Sequence, residues 1–407
     1  MLSSPLHQSP LNKLHTIHSL GPAQLPQSQQ KMSQTTNSSS STVKKEKVVY
    51  DSSASVFNNN QSKSGPILDE VEEDLDIPNN TVRIGSRKSQ LAVVQSEIVG
   101  IGIQKLYPNL QTPIVKLSTL GDQVQNKPLY SFGGKSLWTK ELEILLLQSF
   151  GEFEQIDMIV HSLKDMPTSL PDEFELGCIL QREVMRKDSP YKSLSELPDG
   201  SVVGTSSVRR SAQLLKNHPN LTFKSIRGNL NTRISKLDAP DSDYACVILA
   251  AAGLIRINLG HRITQYLGPD EMLYAVGQGA LGVEIRKNDP KMKKICERLD
   301  CKSTSIRCRA ERELLRTLEG GCSVPVGVWS DYNKDTHELY MKSVVLNVGG
   351  TQSVEKTLIR KVENYEESVA FGRELALLLI NGGAKAILNE IDYDKINEVK
   401  QQGLTKV

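Results

Sequence analysis

The feature that most constrains the fold is an alternation of strand and helix patterns that begins at Thr81. Short apolar segments at 114–117 and 156–160 alternate with helical periodicity at 89–107 and 139–150. Parallel strands need long crossover connections, so this alternation predicts an α/β unit with a mainly parallel sheet. The pattern repeats between residues 201 and 249. The sequence therefore predicts two α/β lobes with a cleft between them.

The predicted elements divide the chain into an extension and three domains. Residues 1–79, rich in Ser, Gln, Asn and Pro, cannot bury enough apolar surface to offset their ordering entropy, and we interpret them as disordered. A transit peptide is the alternative, although the first 45 residues contain no Arg. A strand pattern within 277–285 can return to the first lobe. We therefore expect domain 1 at 80–180 and 277–300, domain 2 at 181–276, and a small α+β domain 3 at 301–407.

Composition limits the partners of the chain. A net charge of +2 and an aromatic content of 5% disfavour bulk nucleic-acid binding and base stacking. No stretch has the apolar length of a membrane span, and the N-terminus lacks the apolar core of a signal peptide. None of the six cysteines forms a C-x-x-C pair or a Cys/His block with zinc spacing. We expect a reduced, cytoplasmic monomer without bound metal, nucleic acid or membrane.

Arginines follow several of the predicted strands. Arg209 and Arg210 lie where the turn at 204–210 becomes a helix, a position suited to anions. Ligands of α/β sheets bind outside the carboxyl ends of the strands, where Arg can capture carboxylates or phosphates. Comparable positions are occupied by Arg87, Arg227, Arg233 and Arg256. The alternatives are a solvated helix start and scattered surface arginines. Arg209 and Arg210 cannot share one helix face, so one of them can serve the fold instead.

A carboxylate and a thiol are further candidates. His161-Ser162-Leu163-Lys164-Asp165 ends a buried strand, and a carboxylate there can stabilise a cation or transfer protons. An ordinary surface Lys-Asp pair is the alternative. Cys322 follows a helical pattern and two glycines and precedes Pro325, which places it on a short, stiff loop. A small buried residue in a tight turn is the alternative there.

Together these segments resemble the porphobilinogen deaminase family, whose members are also called hydroxymethylbilane synthases. The resemblance runs from Val82 to about Gly327 and rests on 84–92, 139–143, 161–165, 204–210, 227–233, 250–253, 276–281 and 320–326. It implies two periplasmic-binding-protein-like lobes with a cleft and a small C-terminal α+β domain. It also implies a transferase that joins four porphobilinogen molecules head to tail, loses ammonia at each addition, and releases hydroxymethylbilane for haem synthesis. The implied cofactor is a dipyrromethane, made from substrate and attached by a thioether.

The resemblance also implies roles for particular residues. It places the thioether on Cys322 and makes Asp165 the catalytic carboxylate, which interacts with pyrrole nitrogens and stabilises the cationic azafulvene. The other cofactor-binding residues would be Ser162, Lys164, Ser207, Arg209, Arg210, Arg227 and Arg233. The porphobilinogen substrate would contact Arg87, Ser89, Arg256, Ala250 and Gln278.

Two other functions remain possible from the residues alone. A non-enzymatic two-lobed binding protein would share the cleft and the arginines, but it has no use for Cys322 or Asp165. A phosphate-ester enzyme could use the turn at 204–210, but it would need an acidic metal cluster or a P-loop lysine. The sequence contains neither at suitable spacing.

Overall fold

The structure is a computed structural model, and it describes residues 75–118, 139–181, 193–318 and 324–391. In chain order, the first part contains β1 (Ile84–Arg87), α1 (Gln90–Leu106), β2 (Ile114–Leu117), α2 (Lys140–Leu147), β3 (Met158–Ser162), β4 (Phe174–Ile179), β5 (Val202–Gly204), α3 (Val208–Asn217), β6 (Thr222–Lys224), α4 (Leu230–Asp238), β7 (Tyr244–Val247) and α5 (Ala251–Arg256). The remainder contains β8 (Leu281–Arg286), α6 (Pro290–Leu299), α7 (Lys302–Thr317), β9 (Val326–Asn333), β10 (Glu338–Leu346), β11 (Ser353–Lys361), α8 (Tyr365–Asn381) and α9 (Ala384–Asn389).

The first sheet has the strand order β2-β1-β3-β8-β4. Strand β1 pairs in parallel with β2 and β3, whereas β8 runs antiparallel to β3 and β4. The chain therefore leaves this sheet after β4 and returns to it as β8. Ile84, Met158, Val283 and Ile285 are buried in its core. These strands are apolar because elements cover both faces of the sheet.

The second sheet has the order β6-β5-β7, and all of its strands are parallel. Val203 and Phe223 pack with Leu214 of α3 in its core. Helix α4 begins after Asn229, whose side chain accepts a hydrogen bond from the Thr232 backbone N–H at 2.9 Å. Gly228 has φ of +118°, and a Cβ there would lie 2.6 Å from the Thr232 methyl carbon. The turn between β6 and α4 therefore requires glycine.

The third sheet is an antiparallel meander in the order β11-β10-β9. Helices α7 and α8 pack against it, with Leu314, Phe371 and Leu375 in a common core with Val328. The connection that enters β8 is joined to this unit, because Tyr274 and Val328 exchange both backbone hydrogen bonds at 3.0 and 2.9 Å. This backbone bridge fixes the return strand of the first sheet relative to the C-terminal unit.

The predicted α/β fold class, with two α/β lobes and a small C-terminal α+β unit, is confirmed. The sequence analysis assigned no element to β4 or α6. Gly177 weakens the strand pattern of β4, but a Cβ there would lie 2.7 Å from Sγ of Cys296 in α6. The glycine thus allows this strand and helix to approach closely, a tertiary reason that a local pattern does not contain.

Residues 1–74 of the expected extension, 1–79, lie outside the described residues. Ile77 is 6% exposed and belongs to the same core as Val82. The packed chain therefore already includes residue 77, slightly before the expected start of domain 1. In the four described ranges, no helix has the combination of length and apolarity that crossing a membrane requires.

Candidate active site

Asp165 lies on a single 3₁₀ turn, Leu163–Asp165, directly after β3. Leu163 and Met166 on either side are buried, and the Leu163 N–H donates to the carbonyl of Ala280 at 3.0 Å. Asp165 is exposed, and Lys164 is partly buried. Two apolar anchors therefore hold the turn while its carboxylate remains accessible.

Ser162, the last residue of β3, is held by a residue that the sequence analysis missed. Its hydroxyl oxygen lies 2.8 Å from the Nε2 of Gln95, a buried residue of α1. A buried polar side chain needs such a partner, so Gln95 is well placed to orient the Ser162 hydroxyl. The only signal in the sequence was an amide among the apolar residues of a predicted helix.

Arg209 and Arg210 are both 6% exposed at the start of α3. Nη1 of Arg209 donates to the carbonyl of Leu273 at 2.5 Å, and Nη1 of Arg210 donates to the carbonyl of Ile248. Both arginines therefore hydrogen-bond backbone carbonyls and support the fold. The sequence analysis allowed such a structural role for only one of them. The buried Nε of Arg210 has no hydrogen-bond partner in the described part of the chain. This donor remains for an anionic group.

Arg227 and Arg233 flank the turn that leads from β6 into α4. Nε of Arg233 donates to the carbonyl of Gly228 at 2.8 Å, which holds the side chain against this turn. The neighbouring turn after β5 is attached to it, because the Ser206 hydroxyl donates to the carbonyl of Ile226 at 2.6 Å. Ser207 caps α3 through its backbone, and its side chain makes no capping hydrogen bond.

Burial lowers the pKa of the arginines at these two turns, because a charged guanidinium loses hydration there. The pKa of Arg210 falls to about 10, first through burial and then through the nearby charge of Arg233. Burial followed by the charge of Arg227 lowers the pKa of Arg233. With a pKa of about 10, Arg210 remains cationic at neutral pH. The fold thus holds several cations close together at an energetic cost.

The charges of the two lobes meet around Lys164. The Asp165 carboxylate is the largest influence on the pKa of Lys164 and raises it, but burial and the cations of Arg210, Arg233 and Arg209 outweigh it and lower the pKa. Such effects require the charges to be near one another. The structure therefore brings the Asp165 turn of the first lobe together with the arginines of the second.

The expected substrate contacts lie at the same ends of the strands. Arg87 ends β1, and the Ser89 hydroxyl caps α1 by accepting from the Ala92 N–H at 3.4 Å. Nδ2 of Asn231 donates to Oε1 of Gln90 at 2.8 Å, so the starts of α4 and α1 are in direct contact.

The remaining expected substrate contacts surround the turn before β8. Nη2 of Arg256 donates to the carbonyl of Gly279 at 2.8 Å, next to Gln278. The Gln278 side chain accepts from the Ala275 N–H at 3.4 Å, and Ala250 is the N-cap of α5. Arg256 and Gln278 are thus brought together. Cys322 lies outside the described residues, in the segment that follows α7.

Chemically, this arrangement suits a ligand with several carboxylates. Arginines hold carboxylates through paired hydrogen bonds, and an unpartnered buried Nε–H is one such donor. The exposed carboxylate of Asp165 can stabilise a cation that arises beside it or accept a proton. Cations that could bind carboxylates and one accessible carboxylate are therefore close together.

Comparison with known proteins agrees with this chemistry. Residues 82–294 match the family model described as porphobilinogen deaminase, dipyromethane cofactor binding domain, and residues 305–381 match the porphobilinogen deaminase C-terminal domain. The porphobilinogen deaminase of Candida albicans is 58% identical over 322 residues, which cover 78% of this chain and 94% of that protein. The porphobilinogen deaminase of Saccharomyces cerevisiae is 54% identical and covers 78% of this chain and 98% of its own.

Among solved structures, the regulatory domain of a LysR family regulator from N. meningitidis is 13% identical, with a TM-score of 0.27, and covers 54% of this chain and 91% of its own. That likeness is too slight to support a conclusion. The family models and the sequence relatives instead extend over both lobes and the C-terminal unit. The chain belongs to the porphobilinogen deaminase family.

Proposed function

We propose that the cations gathered around Asp165 form the site at which this chain joins four porphobilinogen molecules head to tail. Membership of the family makes the chain a transferase of tetrapyrrole biosynthesis, a hydroxymethylbilane synthase with a dipyrromethane cofactor. The observation that carries our assignment of residues is the placement of one exposed carboxylate among buried cations from the opposite lobe.

The residues present fit a dipyrromethane. Each of its pyrroles carries an acetate and a propionate, so the bound group brings four carboxylates to the site. The donor set for them comprises Ser162, Lys164, Ser207, Arg209, Arg210, Arg227 and Arg233. When bound, the dipyrromethane supplies the primer to which further pyrroles are added. Cys322 provides the thioether sulfur in this proposal, and a covalent tether prevents intermediates from diffusing away.

Asp165 has the catalytic role in this proposal. Its carboxylate balances positive charge at a pyrrole nitrogen and accepts a proton, while the surrounding cations bind the acetate and propionate groups. The incoming porphobilinogen is held by Arg87, Ser89, Arg256, Ala250 and Gln278. The geometry supports this division, because Arg256 lies against the turn that carries Gln278.

Intact mass spectrometry of the purified protein tests the proposed attachment. The mass should exceed the sequence mass by one dipyrromethane, and peptide mapping should place the addition on residues 320–326. Cys322→Ser should lose this mass and nearly all activity. Cys296→Ser and Cys308→Ser should keep both, because these two thiols are fully buried in the core and a thioether needs an accessible thiol. An adduct on another cysteine, or an active protein without the added mass, would contradict the proposal.

A non-enzymatic two-lobed binding protein, the alternative that the residues alone left open, is not supported, because the chain belongs to a family of enzymes. Ammonia release from porphobilinogen tests the assignment directly, since a protein that only bound the ligand would release none.

We also propose the domain division expected from the sequence, domain 1 at 80–180 and 277–300, domain 2 at 181–276 and domain 3 at 301–407. The expected extension, 1–79, is shortened to end before Ile77, which packs in the core of domain 1. The return of β8 to the first sheet supports the discontinuous domain 1. Deleting residues 1–74 should leave turnover unchanged, because the candidate site uses none of them. A substantial loss of turnover would show that the extension contributes to the enzyme.

We propose that the protein is a cytoplasmic monomer that binds neither nucleic acid nor membranes. The near-balanced net charge of +2 supports the absence of a bulk polyanion partner. Sedimentation should give the mass of one chain, and a fluorescent fusion should be diffuse in the cytoplasm. A dimer would contradict the proposed monomeric state, and confinement of the fusion to an organelle would contradict the proposed cytoplasmic location.

A further inference from the structure

Arg312 of α7 holds the segment that directly follows Asp165. Its Nη2 donates to the carbonyl of Pro167 at 2.6 Å and to that of Thr168 at 3.4 Å, and its Nη1 donates to the carbonyl of Met166 at 3.5 Å. Arg312 is 9% exposed. One buried guanidinium therefore spans three successive carbonyls of the first lobe from a helix of the C-terminal unit.

The preceding residue, Glu311, holds the other segment beside the Asp165 turn. Its side chain is fully buried, and its Oε2 accepts from the Gly277 N–H at 2.7 Å while Oε1 accepts from the Ser330 hydroxyl at 2.5 Å. Gly277 begins the turn whose Ala280 carbonyl accepts from the Leu163 N–H. Helix α7 thus contacts the residues that follow the 3₁₀ turn and also the separate segment, Gly277 to Ala280, to which Leu163 of the turn is hydrogen-bonded.

Helix α7 also leads directly into the segment that contains Cys322. It ends at Thr317, against the core that it shares with β9, and Val324 begins the next described stretch. A helix that contacts the residues next to the Asp165 turn would set the position of that turn relative to the C-terminal unit. Precise placement matters, because a misplacement of about 1 Å can reduce the rate about 100-fold.

We propose that Arg312 is a positioning residue for the reaction, and that it holds the Asp165 turn at a fixed place relative to α7 of the C-terminal unit. This inference rests on the proposed role of Asp165. Arginine suits the task because its planar fork offers several donors in fixed directions, whereas lysine offers one compact charge. The carbonyls that Arg312 contacts belong to the three residues directly after Asp165, so its effect on the reaction passes through the position of Asp165.

Steady-state kinetics of Arg312→Gln and Arg312→Lys test the proposal against a matched control on the same helix. Arg316→Gln is the control, because Arg316 bonds Glu313 of its own helix at 2.7 Å. We expect Arg312→Gln to lower kcat about 10- to 100-fold at nearly constant KM and full cofactor mass. Arg312→Lys should recover part of kcat, and Arg316→Gln should match the wild type. If Arg312→Gln does not fold, the comparison of Arg312→Lys with Arg316→Gln decides, and equal kcat values would overturn the proposal.

A double-mutant cycle with Asp165→Glu separates positioning from general support of the fold. The longer side chain already displaces the carboxylate, so Arg312→Gln should reduce kcat by a smaller factor in that background than in the wild type. Equal factors in both backgrounds would overturn the inference. Asp165→Asn separates the proposed role of Asp165 from the positioning role of Arg312. Normal turnover in Asp165→Asn would refute both. An inactive Asp165→Asn together with a normal Arg312→Gln would refute the inference alone.

Discussion

The two lobes hold their charged residues at the candidate site in different ways. The first lobe presents Asp165 in solvent on a short turn with buried apolar anchors, whereas the second lobe buries Arg209 and Arg210 at the start of a helix. Buried cations near one another are unfavourable, as the lowered pKa of Arg210 indicates. An anionic ligand would therefore relieve the repulsion among the cations of the second lobe, and the first lobe leaves its carboxylate accessible.

The largest effect expected from this difference concerns Asp165. Asp165→Asn has nearly the same shape but no charge, so we expect turnover to fall about 10²- to 10⁴-fold while thermal stability changes little. Asp165→Glu keeps the negative charge and should lose less turnover than Asp165→Asn. Turnover assays and thermal unfolding of both variants measure this, and wild-type activity in Asp165→Asn would remove the carboxylate from the mechanism.

A smaller effect is expected from the cations of the second lobe. Arg227→Leu and Arg233→Leu should each weaken ligand binding by about 2 to 5 kcal/mol, since a carboxylate partner is left unpaired in a partly dehydrated site. Both cofactor content by mass and turnover should fall. The corresponding Lys variants should recover only part of the ligand binding and turnover, because lysine lacks the forked geometry of the guanidinium.

Arg262→Leu is the matched control for these variants. Its guanidinium pairs with Asp238 at 2.6 Å on the surface of the same lobe, and such solvent-exposed pairs contribute little to stability. Cofactor content and turnover should be close to those of the wild type. If Arg262→Leu and Arg233→Leu behaved alike, the distinction between site cations and surface cations would be wrong.

The smallest expected effect is on the pH dependence of stability, measured in Cys322→Ser protein so that no cofactor is attached. The pKa of Lys164 is lowered in the folded state: Asp165 raises it, but burial and the neighbouring arginines outweigh this. Below the folded-state pKa, Lys164 is protonated in both the folded and the unfolded chain, and its repulsion with the neighbouring arginines destabilises the folded state in full. Between that pKa and the ordinary lysine value of 10.5 the unfolded chain binds more protons, so stability rises with pH.

Adding Lys164→Gln to this background should remove that contribution. Thermal unfolding over the alkaline range should therefore give a smaller rise, or a steeper fall, in Tm than for Cys322→Ser alone. Parallel curves for the two proteins would show that Lys164 carries no such repulsion in the folded state.

Much of the fold and the positions of the charged candidates could be predicted locally. Arg227 and Arg233 were expected at the end of a strand and the start of a helix, and the structure places them there because strand and helix patterns are properties of neighbouring residues. Strand β4 was missed because Gly177 interrupts its pattern for the sake of contact with α6. The role of Gln95 was missed because its partner, Ser162, lies 67 residues away.

The sequence by itself determined the lobed α/β class, the order of most of the elements and the residue types that handle carboxylates. These follow from periodicity and side-chain chemistry, which act over a few residues. Only the tertiary structure decided that Arg209 and Arg210 both bond backbone carbonyls, that the Asp165 turn lies among cations of the other lobe, and that Arg312 holds the next three carbonyls. These contacts join segments distant in sequence, and packing of the whole chain determines which of them meet.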